Sequence, residues 1–192
     1  AAEAMNCRVA LKAMGPNLIH KTELNAVQLN LSGSEEVRVA AEEMLDRLKG
    51  MDKTPAEFVL QPMVTGGVEM LVGVVHDPQF GPVIACGAGG TQVELFKDVS
   101  IRLTPLANED AIEMIRELKS YPLLNGFRGK PVCDVAALED GLLRLSALVD
   151  DTPQIVEMDC NPFVVLEKGA VILDARIRIA SVGPAPLFAA RR

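Results

Sequence analysis

Consecutive strand-like segments without a clear intervening helix constrain the fold of this chain more than any other feature. The segments cover residues 57–64, 68–77, 81–90 and 99–106. Short Gly-containing turns separate the first segments, and such turns are typical of antiparallel hairpins, whereas parallel strands need a long crossover connection. We therefore predict an antiparallel-rich sheet in which residues 57–64 and 68–77 pair as a hairpin.

Strand and helix patterns are mixed in the rest of the chain. Further strands are predicted at 7–13, 26–31, 154–160 and 170–179, and helices end near residues 49, 119 and 149. Ser34, Asn108 and Asp134 are the predicted N-caps of these helices, because their side-chain oxygens can accept backbone N–H groups. This order favours an α+β fold over a doubly wound parallel sheet, and the glycines at 87–90 lack the G-x-G-x-x-G spacing of a Rossmann fold.

Composition excludes several classes of partner. The net charge is −7, and no basic run is visible, which argues against broad binding to nucleic acid or to anionic membranes. No stretch approaches the roughly 18 apolar residues of a membrane span, and the N-terminal residues lack the plan of a signal peptide. We therefore predict a cytoplasmic protein.

The four cysteines are widely spaced along the chain. Cys7, Cys86, Cys133 and Cys160 form no C-x-x-C pair, so the sequence gives little support for a zinc site. Two disulfides are formally compatible with four cysteines, but reduced and mostly buried thiols are typical of a cytosolic protein. We predict the reduced state.

One short region collects basic groups. The stretch GPNLIHKTELNAVQLNL, at 15–31, follows the strand lysine Lys12 and contains His20 and Lys21, and His20 is one of two histidines in the chain. A lysine in this position suits a nucleotide phosphate as a point charge. Taken alone, however, each of these residues is also compatible with an ordinary solvated position.

A second candidate site lies near the end of the chain. Glu157, Asp159 and Asn161 occupy alternate positions and would share one face of a strand, and Asp174 ends the next apolar run. An antiparallel pairing of the two runs would bring Asp174 beside Asn161. Carboxylate and amide oxygens suit Mg²⁺, with nucleotide phosphates completing its shell. A polar strand face followed by a turn is the alternative interpretation.

Together these segments resemble the ATP-grasp domain of ADP-forming acyl-CoA (acetyl-CoA) synthetases. The stretches that carry the resemblance are, in order, HKTELNAV, LQPMV, GVEMLVGVVHDPQFGPVIACGAGG, VELFKDVSIRL, GFRG, EMDCNP and DARI. It implies a two-lobed α+β ATP-grasp fold over residues 1–180, with a truncated N-terminal lobe and a C-terminal tail or linker at 181–192. It also implies Mg²⁺ and ATP or ADP as ligands.

The same resemblance implies roles for the basic region and for the metal site. Lys12 matches a lysine that contacts nucleotide phosphates, and His20 matches a histidine thought to carry a phosphoryl group between subunits. Lys21 would add to the positive charge beside that histidine. Asn161 and Asp174 match the magnesium ligands, with Glu157 and Asp159 as near neighbours.

Adenine and ribose contacts are implied in the middle of the chain. Residues 61–64 match a hinge that binds the adenine edge, so Gln61, Met63 and Val64 are candidate contacts. Glu69 matches the carboxylate that accepts from ribose hydroxyls. Arg102 and Arg128 are further polar candidates, by resemblance alone.

The sequence departs from the family pattern after the histidine. Asn25 and Ala26 stand where the family loop has two glycines, and Glu23 replaces the usual aspartate. Glycines in such loops let backbone N–H groups close over phosphates. We expect Asn25 to tolerate a left-handed backbone and Ala26 to be strained there by about 1–2 kcal/mol, which would weaken the nucleotide clamp.

Three functions follow from this resemblance. The first is a component of an ADP-forming acyl-CoA ligase, which interconverts acyl-CoA, ADP and phosphate with acid, CoA and ATP and which needs a separate CoA-binding or ligase domain. The second is a degenerate regulatory domain fused to a lysine (protein) acetyltransferase, favoured by the lost glycines. The third is a scaffold without a ligand. Alone, the chain is not expected to complete the synthetase reaction.

Overall fold

A computed structural model describes residues 2–16, 18, 21, 23–90 and 98–181 of the protein. The chain divides into two compact units, residues 1–65 and 66–192. Each unit has its own sheet and its own apolar core. Within the described ranges, none of the helices has the length and apolar character needed to cross a bilayer.

The first unit contains a three-stranded antiparallel sheet of order β2-β1-β3. Its elements are α1 (Ala2–Met5), β1 (Val9–Met14), β2 (Val27–Leu31), α2 (Gly33–Gly50) and β3 (Glu57–Pro62). The strands predicted at 7–13 and 26–31 and the helix that ends near residue 49 are therefore confirmed, with small shifts at their ends.

Helix α2 supplies the apolar layer over this sheet. Ala40, Met44 and Leu48 recur at helical spacing and are buried, together with strand residues such as Val9 and Leu11. The N-cap position belongs to Ser32 rather than to the predicted Ser34. The carboxylate of Glu36 accepts the Ser32 N–H at 2.7 Å, which satisfies a backbone donor that the first turn leaves without a helical partner.

The second unit contains a six-stranded sheet whose described pairings are all antiparallel, so the predicted α+β class is confirmed. Its elements are β4 (Val68–Asp77), β5 (Gly81–Ala88), β6 (Val99–Leu103), α3 (Asn108–Arg116), α4 (Tyr121–Leu124), a 3₁₀ turn (Phe127–Gly129), α5 (Val135–Asp151), β7 (Ile155–Val165), β8 (Ala170–Ile172) and β9 (Ala175–Ile179). The strand order is β6-β5-β4-β7-β8, and β9 also pairs with β7.

The predicted hairpin between residues 57–64 and 68–77 is wrong. Strand β3 pairs with β1 in the first unit, whereas β4 lies between β5 and β7 in the second. Gly66 and Gly67, which suggested a hairpin turn, instead lie where the chain passes from β3 of the first unit to β4 of the second. Gly67 has φ +81°, and an added Cβ would lie 2.6 Å from the carbonyl oxygen of Val165 in β7, so close packing against β7 requires glycine there.

The strand predicted over 170–179 is interrupted and forms β8 and β9. At the break, the Leu173 N–H donates to the carbonyl of Pro162 at 2.9 Å, and the Asn161 N–H donates to the carbonyl of Asp174 at 3.1 Å. Both new strands therefore pair with β7. Periodicity alone does not reveal such a break, because both halves carry strand-like residues.

The helix caps agree with the sequence prediction in one case. The Asp134 side chain accepts the Ala137 N–H at 3.2 Å and so caps α5 as predicted. For α3, Ala107 takes the N-cap position instead of Asn108, and Asp110 accepts the Ala107 N–H at 2.8 Å. Helix α3 also ends at Arg116, earlier than the predicted residue 119.

All four cysteines are free thiols, as predicted. Cys7 is exposed, and Cys86, Cys133 and Cys160 are buried. Burial raises the pKa of Cys86 to about 12 and also raises the pKa of Cys160. These buried thiols behave as small apolar side chains in the core.

Helices α3 and α5 pack on one face of the six-stranded sheet. Residues that alternate along the strands, such as Val72, Cys86 and Met158, share the core with Met114 and Leu142 of the helices. The intervening strand residues point to the opposite side, which we call the open face. It carries Val75, Ile101, Leu103, Glu157, Asp159, Asn161 and Arg178.

Candidate functional site

The predicted magnesium residues lie together on the open face. Met158 and Cys160 of β7 are buried in the core, so Glu157, Asp159 and Asn161 project from the other side of the strand. The backbone hydrogen bond between Asn161 and Asp174, at 3.1 Å, places these two residues side by side. The predicted antiparallel juxtaposition of Asn161 and Asp174 is therefore confirmed.

Negative charge is concentrated at this position. Partial burial raises the pKa of Asp159, the neighbouring carboxylates of Asp174 and Glu157 raise it further, and Arg176 acts in the opposite direction. The carboxylate of Glu157 accepts a hydrogen bond from Arg178 Nε at 2.9 Å. A bound cation would relieve the repulsion around Asp159.

The donor chemistry fits a hard cation. The group offers carboxylate oxygens from Asp159 and Asp174 and an amide oxygen from Asn161, and Mg²⁺ prefers oxygen ligands and keeps several waters or substrate phosphates in its shell. Within the described ranges, no three His, Cys, Asp or Glu side chains form a ready-made metal cluster. That Asp159, Asn161 and Asp174 bind Mg²⁺ therefore stays a prediction.

Glu69 lies on the same sheet, in β4. Its partner in β7, Val164, is three residues beyond Asn161. Strand β4 pairs Glu69 with Val164, and the carbonyl of Glu69 accepts the Gly89 N–H at 2.8 Å. A Cβ added to Gly90, where φ is +71°, would lie 3.4 Å from Glu69 Oε2. The glycines at the end of β5 therefore shape the backbone against which Glu69 sits.

Lys12 and Lys21 belong to the first unit, and both are buried at 9% exposure. Lys12 lies inside β1, opposite Val27 and Val59. Burying a lysine ammonium is costly unless the charge is compensated. Two buried lysines in one small unit are therefore more than solvated surface residues.

The predicted adenine hinge follows β3. Gln61 pairs with Ala10 in the sheet, and the Met63 N–H donates to the Arg8 carbonyl at 2.8 Å. The Met63 N–H therefore has a hydrogen-bond acceptor within the first unit. The Met63 carbonyl and the Val64 amide, which lie just beyond the strand, are the backbone groups suited to an adenine edge.

The expected strain at Ala26 is wrong. Of the two residues that replace the family glycines, Asn25 has the left-handed backbone, with φ +49°, whereas Ala26 does not. Ala26 is fully buried at 0% exposure within the core of the first unit, and its backbone bonds to Lys21 and Ala13. Its methyl group packs inward, so a loss of the phosphate clamp does not follow from this residue.

We expect Ala26→Gly to lower the free energy of unfolding by about 1–2 kcal/mol, because it removes a buried methyl group and adds backbone freedom. The matched variant Asn25→Gly should change it by less than about 0.5 kcal/mol, because the left-handed residue is exposed and glycine accepts that backbone. Urea unfolding of both variants tests this. A stabilised Ala26→Gly protein would show that residue 26 is strained after all.

Three further candidates have different outcomes. His20 lies outside the described residues, so its role stays a prediction. Arg102 forms a two-pronged salt bridge with Glu117, at 2.9 and 3.0 Å, which ties β6 to the end of α3. Arg128, with φ +54°, lies 5.3 Å from the centroid of the Phe127 ring. Among the described residues, neither arginine forms a hydrogen bond or salt bridge with the predicted magnesium ligands.

A cavity of about 290 Å³ in the second unit is lined by residues from the end of β5, from α4 and from the loops beside them. Its lining is mainly apolar, with Ala88, Pro122 and Phe127, together with Asp98 and Lys119. The buried carboxylate of Asp98 is already engaged by the backbone N–H groups of Lys119 and Ser120, at 2.8 and 2.7 Å. This cavity contains none of the predicted site residues.

Sequence reasoning did not select the two arginines of β9. In the strand register, Arg176 lies opposite Asp159 and Arg178 lies opposite Glu157, which places both guanidinium groups on the open face. Their alternation in the run DARIRI was a usable signal. It became informative when the pairing of β9 with β7 was known.

The fold is that of a known family. The ATP-grasp domain family model matches residues 1–179, so the chain belongs to the ATP-grasp family. More specifically, the chain is homologous to the ATP-grasp region of ADP-forming acetyl-CoA synthetases. The predicted fold and family resemblance are thereby confirmed.

Individual relatives show how much of a larger protein this chain represents. It is 44% identical over 178 residues to an Archaeoglobus fulgidus acetate–CoA ligase [ADP-forming] I, covering 92% of this chain and 26% of that protein. It is 41% identical over 181 residues to the Pyrococcus furiosus acetate–CoA ligase [ADP-forming] II subunit beta, covering 92% of this chain and 77% of the subunit. The chain thus spans about a quarter of the first relative.

A solved structure also shows similarity to an acetyl-CoA synthetase. The chain matches the acetyl-coenzyme A synthetase 1 of Ca. Korarchaeum cryptofilum, in complex with coenzyme A and Mg-AMPPCP, with a TM-score of 0.81 and 38% identity. The match covers 93% of this chain and 79% of the other. The acetyltransferase-linked alternative gains no support from these three relatives, whose names describe ligases and a synthetase.

Proposed function

We propose that the chain binds ATP or ADP with Mg²⁺ and takes part in phosphoryl transfer between the nucleotide and acyl-CoA plus phosphate, as the nucleotide-binding component of an ADP-forming acyl-CoA ligase. The observation that carries the proposal is the hydrogen-bonded juxtaposition of Asn161 and Asp174 beside Asp159. The similarity to a synthetase solved with Mg-AMPPCP supports it.

In this proposal, each residue group has a defined task. Asp159, Asn161 and Asp174 hold Mg²⁺, which supplies charge neutralisation for the phosphates when it is bound. Lys12 and Lys21 bind phosphate oxygens, and Glu69 accepts from ribose hydroxyls. The pairing of Glu157 with Arg178 keeps that carboxylate outside the metal shell.

The remaining residues in this proposal bind the adenine and carry the phosphoryl group. The backbone beyond Gln61, at Met63 and Val64, would bind the adenine edge, and His20 would accept and pass on the phosphoryl group. The partner is a CoA-binding or ligase domain or subunit, consistent with the name subunit beta of the Pyrococcus furiosus relative. We propose that the protein works in the cytoplasm with this partner and is inactive as a synthetase without it.

Calorimetric titration of the 192-residue chain with ADP and ATP, with Mg²⁺ and with EDTA, tests the proposal. We expect binding with a Kd below about 1 mM that depends on Mg²⁺. Asp174→Asn should raise the Kd at least about tenfold, because a charged metal ligand is lost. Asp140→Asn, at an exposed carboxylate on α5, is the matched control and should bind normally.

Two results would contradict the proposed function. One is the lack of measurable nucleotide binding by the unmodified chain at millimolar nucleotide and Mg²⁺. The other is an equal loss of affinity in Asp174→Asn and Asp140→Asn, which would show that the metal residues have no specific role. Thermal unfolding of each variant identifies any loss that comes from misfolding.

A further inference from the structure

The two arginines of β9 lie in different electrostatic environments although they share a strand and a face. Arg178 lies opposite Glu157 and binds its carboxylate at 2.9 Å. Arg176 lies opposite Asp159 in the same register, yet it forms no hydrogen bond or salt bridge with the part of the chain that the structure describes. Arg176 is therefore coupled to Asp159 electrostatically, but no hydrogen bond between them is found in the part of the chain that the structure describes.

The position of Arg176 relates it directly to the candidate magnesium group. It is two residues beyond Asp174, whose carbonyl bonds to Asn161, and it is the cross-strand neighbour of Asp159. Directly opposed residues of an antiparallel pair share one face and have Cβ atoms about 4.5–5.5 Å apart. The guanidinium is thus within side-chain reach of any ligand held by these metal residues.

The charges at this site suggest a role for Arg176. Asp159 and Asp174 carry two negative charges, which a bound Mg²⁺ only neutralises. The charge of Arg176 makes the loaded site net positive, and polyanionic phosphates are attracted to such a site. A guanidinium also presents paired N–H donors whose fork matches two phosphoryl oxygens, which a lysine ammonium does not.

We propose that Arg176 binds phosphoryl oxygens of the magnesium-bound nucleotide. This inference rests on the function proposed above, and it adds a phosphate-binding residue to the three oxygen ligands. Arg178 has no such role, because its guanidinium is committed to Glu157. The two arginines of β9 thus differ: Arg178 is held in a salt bridge, whereas Arg176 forms none within the described residues.

The test is calorimetric titration of Mg-ATP and Mg-ADP into the full chain, its Arg176→Ala and Arg176→Lys variants, and the control Arg144→Ala, which removes an exposed arginine of α5. We expect Arg176→Ala to raise the Kd for Mg-ATP at least about tenfold, as for the loss of a charged hydrogen-bonding partner. Arg176→Lys should recover part of the affinity, because charge returns without the fork. Arg144→Ala should stay within about twofold of the unmodified chain, because it removes only an exposed surface salt bridge.

Each outcome decides the inference. A Kd for Arg176→Ala within twofold of the unmodified chain, or the same loss in both alanine variants, would overturn it, since the effect would then be absent or due to general surface charge. If the chain binds Mg-nucleotide through Asp174 but is insensitive to Arg176, only this inference fails. If the unmodified chain binds no nucleotide, the proposed function fails and this inference with it.

Discussion

Gly89→Ala should lower the free energy of unfolding by about 3 kcal/mol or more, because the added methyl group has no space. A Cβ at residue 89 would lie 2.6 Å from the carbonyl carbon of Glu69 and 2.8 Å from the nitrogen of Met70. These are backbone atoms of a central strand and cannot turn aside as a flexible side chain could. Overpacking of this kind costs about 1–3 kcal/mol by itself.

The lost hydrogen bond adds to that cost. The Gly89 N–H donates to the Glu69 carbonyl at 2.8 Å, and separating the two segments would leave both groups without this partner. The displacement would also move Glu69, so nucleotide affinity should fall together with stability. Denaturant unfolding and calorimetric titration of the same variant measure both effects.

Gly50→Ala is the matched control. Gly50 is the last residue of α2, no heavy atom lies within 4 Å of its added Cβ, and its φ is not positive. Alanine should therefore be neutral or stabilising there by up to about 1 kcal/mol. A Gly89→Ala protein as stable as Gly50→Ala would refute the close approach of residue 89 to β4.

Asp98→Ala should lower the free energy of unfolding by about 2–4 kcal/mol. The Asp98 side chain is 8% exposed and accepts the backbone N–H groups of Lys119 and Ser120, at 2.8 and 2.7 Å. Alanine removes the acceptor and leaves two N–H donors in a largely buried position, each at a cost of roughly 1–3 kcal/mol. Asp140→Ala, at an exposed salt bridge, should cost below about 1 kcal/mol.

The stability that Asp98 contributes should also depend on pH. Burial by itself would raise the pKa of Asp98, but the donors at Lys119 and Ser120 outweigh burial and hold that pKa below its ordinary value of 3.8. A carboxyl group with a lowered folded-state pKa stabilises the protein above its unfolded-state pKa, and this contribution is lost as the pH falls through the folded-state value. The difference between the unmodified protein and Asp98→Asn should therefore narrow below about pH 4.

Unfolding at several pH values measures this. A constant difference between pH 7 and pH 3 would show that ionised Asp98 contributes nothing, and an Asp98→Ala protein of unchanged stability would contradict the hydrogen-bonding role itself.

Local signals predicted the individual elements well where they depend on near neighbours in the chain. The apolar stripe of Ala40, Met44 and Leu48 indicated α2, and the acceptor at Asp134 indicated the start of α5. Helical spacing and N-capping act within one or two turns, so the sequence carries them completely. The alternation of Glu157, Asp159 and Asn161 likewise predicted their common face.

Predictions that needed a partner strand were less dependable. The same glycine-rich signal that favoured a β3–β4 hairpin joins two strands of different sheets. Ala26 stands where the resemblance led us to expect a glycine, yet its methyl group is buried in the core, and Asn25 alone of the two takes the left-handed backbone. Neither outcome is encoded by neighbouring residues, because packing across the unit decides it.

From the amino-acid sequence alone came the ATP-grasp resemblance, the α+β class and the oxygen-rich residues suited to Mg²⁺, since motif order, periodicity and side-chain chemistry are properties of the chain itself. Tertiary structure decided which strands pair, that Arg178 binds Glu157 while Arg176 lies opposite Asp159, and that Asp98 accepts backbone N–H groups. These depend on contacts between residues distant along the chain, and such contacts exist only once the sheet has formed.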